Sequence, residues 1–552
     1  MESYNALNDT FMTQNKRLLQ TILKDKIGFK GFIMSDWYAI NSDNCTHFSN
    51  GCDMNQPGFL ANFSGEPNAT SSDWYNIQKW IDSNCTTEDR VDDAATRIVA
   101  AMYRLNQIPD TVNESNSYNN SVKLGTETIS DDTRELNRQA GRESIVLLKN
   151  KEDFLPLTNN QINSHDFGSI AIIGNNAKLS ECNYLGMDVT CGPSDDLEKR
   201  FFKGYTALGW GSGVTTFKEQ FAPFDAIESY VNELGWTITN SIDLEEEIDS
   251  EEAYEEQDIS EIIDFDASVC NSSNVTLVFI GANSGEEYII VENLVGDRED
   301  LEPWHHGEKL VDAVLEKCAN SNIVLIVLGP ATVNITKWIY NDNIKAILFG
   351  GMLGSQGGNA LVDILFGEYS PSGHLPYVWA PLNSYPNVTK VNLSDSEKPN
   401  EFIYREYTYI EQLYIGQKYV EKYNKSYDFP FGFGLSYTTF EFANLNLQMK
   451  KKGLIVQFTV TNTGKYNASI VPMIFLGFPL ENYPTRVFKG FDKQFIKIGE
   501  EVAFNILVEP HDLSYYDVDQ EDFVRPTSGD FKVYVGENAR DHQLISTISA
   551  AY

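Results

Sequence analysis

Two short stretches carry carboxylates to the ends of apolar runs. GFIMSDWYAI (31–40) ends its apolar run in Ser35-Asp36-Trp37 and breaks into polar sequence after Asn41. That is how a buried strand delivers a carboxylate and an aromatic ring to the rim of a sheet or barrel, and catalytic strands end this way. NSGEEY places Ser284, Gly285, Glu286, Glu287 and Tyr288 directly after the apolar run NVTLVFIGA. The carboxyl ends of strands in an open α/β sheet are where functional loops sit. Each stretch has a plainer rival: an aspartate after serine also caps or turns a chain, and NSGEEY also fits an acidic surface loop.

The elements around them suggest several domains, because 552 residues exceed a single core. Residues 13–27 read as a helix with Leu18, Leu19, Ile22 and Leu23 on one face and Gly28 as its stop. The strand to Asp36, a GCDMNQPG loop and an amphipathic helix through RVDDAATRIVAAMYRL follow, like the closing units of an α/β barrel. Residues 110–130 read as a linker. From 131 the runs SIAIIG, NVTLVFIG, NIVLIVLG and IKAILFGG alternate with helical patterns, which indicates a mainly parallel sheet covered on both faces. Residues 381–430 read as an extended connector, and the chain after FGFGLSYTTF reads as a small β-sandwich. The expected fold is therefore multidomain α/β plus β. It comprises a partial (β/α)8 barrel remnant at 1–109, the linker at 110–130 and an α/β/α sandwich at 131–380. The connector at 381–430 and a β-sandwich at 431–552 complete it. The acidic run 243–261 reads as a solvated helix or loop.

Composition narrows the partners. A net charge of −37 leaves nothing to neutralise phosphates, which speaks against nucleic acid. No apolar run approaches the ~20 residues of a membrane helix, and MESYNALNDT has neither the basic start nor the apolar stretch of a signal peptide. Yet fourteen N-x-S/T sequons hint at secretion, Asn8, Asn68, Asn274, Asn334, Asn424 and Asn467 among them. Of seven cysteines, Cys182 and Cys191 bracket one loop and form the favoured pair, and the odd total leaves a free thiol. No metal-ligand or nucleotide-binding pattern is present, so no cofactor is expected; GGMLGSQGG reads as a tight loop and helix start.

Taken in order, the chain resembles the fungal β-glucosidases of glycoside hydrolase family 3 from end to end. The resemblance is carried by MESYN at 1–5, GFKGFIMSDW at 28–37, DMNQPG at 53–58, RVDDAATRI at 90–98 and ESIVLLKN at 143–150. It continues through GWGSG at 209–213, SGEEY at 284–288, GDR at 296–298, FGFGLSYTTF at 431–440 and GFDKQFIKIGE from 490. The family's architecture is barrel, α/β sandwich and fibronectin-III-like domain. The resemblance implies retaining hydrolysis that releases terminal β-D-glucose from β-glucosides and cello-oligosaccharides. Such enzymes hold two carboxyls about 5–5.5 Å apart, one ionised to attack and one protonated to aid departure. By resemblance Asp36 is the nucleophile and Glu286 the acid/base. Trp37 would stack on a sugar ring, Tyr288 would line the aglycone side and Tyr4 would orient Asp36. Met1 and Ser212 would contact bound sugar. S-D-W favours a glucosidase over the family's xylosidases, which tend to carry S-D-C.

The departures bear on activity. Glu287 stands where the pattern usually has glycine; its charge would tend to raise the pKa of Glu286, or it could take the catalytic position itself. Cys52 and Gln56 replace usually apolar residues. A whole barrel takes ~250 residues, more than the 1–109 segment supplies, and Met1 coincides with an internal methionine of the motif. The expectation is an N-terminally truncated, impaired enzyme from a secreted or cell-wall-associated parent. The alternative is an inactive remnant that binds glycans or serves as an interaction surface. Whether it is a homo-oligomer is not legible in the sequence.

Overall fold

The computed structural model describes residues 1–37, 39–40, 45–56, 77–105, 129–157, 168–179, 182–185, 188–191, 204–205, 207–209, 217–242, 265–284, 290–291, 294–295, 298, 300–319, 321–386 and 409–551. The chain forms two compact units, Met1–Thr128 and Ile129–Tyr552. The linker and the acidic run fall outside the described residues, or nearly so.

In the first unit the run ahead of Asp36 is extended and bridged on both sides in parallel, Glu2 to Ser35 and Met54 to Met34. The helix expected at 13–27 is present as a short 3₁₀ turn, Met12–Gln14, followed by a π-helix, Arg17–Lys26. Leu19 is its buried apolar residue, and Gly28 at φ +76° ends the segment in a conformation suited to glycine. Helix α1 (Glu88–Arg104) starts where Thr87 accepts the N–H of Arg90 and where Glu88 and Asp89 favour the positive helix end. A disulfide joins Cys45 to Cys85.

In the second unit the apolar runs become a six-stranded sheet. Its strands are β1 (Val146–Asn150), β2 (Ser169–Ile173), β3 (Thr237–Ser241), β4 (Val275–Gly281), β5 (Asn322–Leu328) and β6 (Ile344–Gly351). Their spatial order is β1-β6-β5-β4-β2-β3. All neighbours are parallel except the edge pair β1–β6. Both faces are buried, as the unbroken apolar runs require. Val278 and Ile280 face one core with Leu310, Val311 and Val314 of helix α4 (Gly307–Lys317). Leu277 and Phe279 face the other, with Ile227 and Val231 of helix α3 (Pro223–Glu233) and Leu361 and Ile364 of helix α5 (Gly357–Leu365). Two strand ends show why they finish in glycine. A Cβ on Gly174 would stand 2.2 Å from the Phe279 carbonyl oxygen, and one on Gly281 would stand 2.5 Å from that of Leu328. Helix α2 (Asp131–Ser144) is tied to α5 by Arg138 and Arg142, which both bond the buried Asp363 carboxylate.

GGMLGSQGG does form a loop entering α5. The connector carries a short helix, Gln417–Lys422. Beyond it a three-stranded sheet (Phe440–Lys450, Gly453–Asn462, Glu501–Val508) and a four-stranded sheet close over one apolar core. The second sheet contains Val487–Phe491, Met473–Gly477, Asp530–Gly536 and His542–Ser549. Alternating exposed and buried residues along Glu501–Val508 are the signature of a one-sided strand. Asn462 is wholly buried and fully bonded. Its Oδ1 accepts Thr438 Oγ1 at 2.7 Å and Gly464 N–H at 3.2 Å, and its Nδ2 donates to the carbonyls of Tyr466 and Ile496 at 2.8 and 3.0 Å.

Candidate active site

Asp36 sits at the end of its extended segment, gripped by backbone on either side. Its N–H donates to the Glu2 carbonyl at 2.9 Å, the Glu2 N–H donates to Met34 at 2.8 Å, and the Ser35 N–H donates to Met54 at 2.9 Å. The alternation of an extended chain buries Ile33 and Ser35 and leaves Asp36 half-buried. The carboxylate accepts the Trp37 N–H at 2.7 Å. Trp37 is half-exposed, and its carbonyl receives the Tyr4 hydroxyl at 2.5 Å. Tyr4 therefore anchors the backbone one residue beyond Asp36. Met1 is exposed at the start of the segment that carries Glu2.

Beneath this end lies a charged network that sequence reasoning did not assign. Buried Asp53 binds Lys24 and Arg90 through Oδ1, both at 2.7 Å, and accepts the Ile33 N–H through Oδ2 at 2.8 Å. Arg97 bonds the carbonyls of Phe29 and Gly31 at 2.6 and 3.0 Å, and its Nε donates to Asp93 at 2.8 Å. Burial alone would raise the Asp93 pKa, but the Arg97 hydrogen bond and the Lys24 charge outweigh it and hold the carboxyl below its ordinary value. Helix α1 thus fixes both the entry and the course of the strand leading to Asp36. Asp53 and Arg90 lie in motifs quoted above. The usable signal was Arg90, Asp93 and Arg97 at i, i+3 and i+7, one helical face of alternating charge.

Glu2 is buried beside Ser35 with the Cys52 thiol facing it. Desolvation pushes its carboxyl up to about 7 and pushes the Cys52 thiol well above its ordinary range. Cys52 is the free cysteine among those described. Gln56 donates its backbone N–H to Ser35 Oγ at 2.9 Å, as an apolar residue there also could, while its side-chain amide reaches the Met54 sulfur at 3.0 Å.

The disulfides Cys45–Cys85 and Cys270–Cys318 were not anticipated. Cys182 and Cys191 stand opposite one another in a two-stranded ladder; their side chains lie outside the described residues. Ser212, Glu286, Glu287 and Tyr288 also lie outside them. What is described is the approach to the stretch that holds Glu286. Strand β4 runs into Asn283, whose Oδ1 accepts the Ser284 N–H at 2.8 Å, and Gly209 packs against Ser284 so closely that a Cβ would lie 2.9 Å from its carbonyl oxygen. Among the described residues no His/Cys/Asp/Glu group could hold a metal and no helix is long and apolar enough to cross a membrane.

Comparison with known proteins agrees with this architecture. Residues 1–101 match the glycosyl hydrolase family 3 N-terminal domain, 145–437 its C-terminal domain, and 470–539 a fibronectin type III-like domain. A probable β-glucosidase L of Aspergillus terreus is 32% identical over 99% of this chain and 70% of its own length. The crystal structure of a β-D-glucoside glucohydrolase from Trichoderma reesei superposes with a TM-score of 0.79 at 29% identity, over 99% of this chain and 72% of that one. A β-glucosidase from Chaetomella raphigera gives the same TM-score and identity over 100% of this chain and 72% of its own. With matches running through both units, the sandwich of the second included, the chain belongs to glycoside hydrolase family 3.

Proposed function

We propose that the chain is a retaining β-glucosidase releasing terminal β-D-glucose from β-glucosides and cello-oligosaccharides. The observation that carries the reading is Asp36 itself, a carboxylate held by backbone bonds on both sides of its strand end, next to a half-exposed indole. Asp36 attacks the anomeric carbon while Glu286 protonates the departing glycosidic oxygen. Glu286 then takes a proton from water, which displaces Asp36 from the sugar with net retention. Trp37 stacks on the glucose ring, Tyr288 meets the aglycone, and Met1 and Ser212 contact bound sugar. Tyr4 holds Asp36 indirectly, through the Trp37 carbonyl. The similar glucosidases support the substrate class, and the sequons support a secreted or wall-associated setting. We assign residues 1–109 to the family's first domain, 131–380 to its second and 431–552 to the fibronectin-like domain.

The test is hydrolysis of an aryl β-glucoside by the wild-type chain and by Asp36→Asn. Turnover abolished by the substitution, with a glycosyl-enzyme trapped on Asp36 by a slow fluorinated substrate, is the expected result. Turnover unchanged in the variant defeats the assignment. Tight glycan binding with no turnover in either form favours a binding remnant.

A further inference from the structure

The sequons look alike in sequence, but the fold sets them apart. Transfer of an oligosaccharide requires the asparagine Nδ2 to displace a lipid diphosphate from C1 of the sugar. The C1–O bond breaks with its electron pair going to the diphosphate, an N–C1 bond forms, and one amide proton passes to base. The carbonyl Oδ1 is untouched. A site compatible with the folded chain therefore needs an Nδ2 with open solvent ahead of it, whatever Oδ1 is doing.

Asn424 meets this condition. It is exposed just past the helix Gln417–Lys422, at φ +48° in a turn, a conformation asparagine tolerates, with the half-exposed Tyr423 beside it. Asn467 meets it differently. It is exposed ahead of the buried segment Ala468–Ile470, and only its Oδ1 is in use, accepting the Ile498 N–H at 3.0 Å. A sugar on Nδ2 preserves that bond. Asn334 fails. Its Nδ2 donates to Glu302 at 2.7 Å, its N–H donates to the Leu301 carbonyl at 2.6 Å, and its neighbours Val333 and Ile335 are wholly buried. A saccharide there would have to push the 301–302 segment aside.

We propose that Asn424 and Asn467 carry N-linked oligosaccharides in the folded protein while Asn334, in an equally good sequon, does not. The full chain, placed behind a cleavable secretion leader in a eukaryotic host, tests this. Luminal protein is split into protease-resistant and protease-sensitive pools. Each is deglycosylated by an amidase in heavy-oxygen water, which marks every formerly occupied asparagine as labelled aspartate. The expected result is label at 424 and 467 in the resistant pool and unlabelled asparagine at 334. Asn424→Gln and Asn467→Gln should each remove one oligosaccharide from the intact mass. Label at 334 matching that at 424 in the resistant pool overturns the proposal, as does its absence from 424 or 467. Because the leader enforces transit and no turnover is measured, neither outcome depends on the catalytic reading.

Discussion

Asp53 accepts the backbone N–H of Ile33 at 2.8 Å through one carboxylate oxygen while the other binds Lys24 and Arg90 at 2.7 Å each. One side chain thereby couples the strand of Asp36 to helix α1 and to the π-helix. The side chains of Asp53 and Lys24 are wholly inaccessible to solvent. Asp53→Asn keeps the shape but leaves two cations facing a neutral amide. Removing one partner of a buried pair costs about 3–5 kcal/mol, and urea denaturation followed on Trp37 should show a loss of that order in the first unit. A loss below about 1 kcal/mol would mean the network behaves as a surface one.

Tyr4→Phe deletes the hydroxyl that reaches the Trp37 carbonyl and keeps the ring. A hydrogen bond of this kind contributes about 1 kcal/mol. The expected outcome is a roughly five-fold fall in kcat/KM on an aryl β-glucoside, carried by kcat, with a thermal midpoint within a degree or two of wild type. An equal fall in stability with unchanged kcat would reduce Tyr4 to a structural role.

Glu286 and Glu287 are adjacent, and the proposed mechanism gives Glu286 the task of protonating the leaving oxygen. Glu286→Gln is expected to abolish turnover of glucosides with poor leaving groups and to spare activated aryl substrates more. Glu287→Gln should retain most activity and shift the alkaline limb of the pH profile downward, because removing a neighbouring negative charge lets Glu286 lose its proton at lower pH. The reverse ranking in steady-state assays reassigns the acid/base to Glu287.

His542 Nε2 lies 3.0 Å from Arg486 Nη1, a group that can only donate, so the ring must accept there as a neutral imidazole. Burial first, and the Arg486 charge second, push its pKa down to about 4. An unfolded histidine titrates near 6.5. The stability due to the neutral ring is therefore fully present above that value and is lost as pH falls from about 6.5 toward 4. Calorimetry across that window should show a falling midpoint for wild type and a flatter curve for His542→Gln.

Cys270 and Cys318 close a loop of sequence separation 48 between the short helix Ser268–Asn271 and the end of α4. Loop-closure entropy for that length is about 4 kcal/mol. The double alanine variant should lose stability of that order in guanidinium melts, while reduction of wild type, which also opens Cys45–Cys85, should lose at least as much.

Strands with both faces buried were legible because their code is simple: unbroken apolar runs that end in glycine, which at Gly174 and Gly281 sits where a neighbouring carbonyl crowds in. The sandwich strands were legible through alternation. The pairing of cysteines 40 and 48 residues apart was not, because proximity across folded elements leaves no local trace. The Asp53 network was half legible. Its residues stood in recognisable motifs, but only the folded chain reveals that one aspartate serves two cations and a backbone amide. Likewise the sequence pointed Tyr4 toward Asp36, whereas its hydroxyl bonds the next peptide along.

Asn462 has a consequence for the ageing of the molecule. Asparagines deteriorate when the following backbone nitrogen folds back onto the side-chain carbonyl and expels ammonia. Here two carbonyls clasp the amide, and the Thr463 N–H is engaged with Thr439 at 2.9 Å. Neither reactant can turn toward the other, so in this part of the sandwich that clock does not run while the fold stays closed.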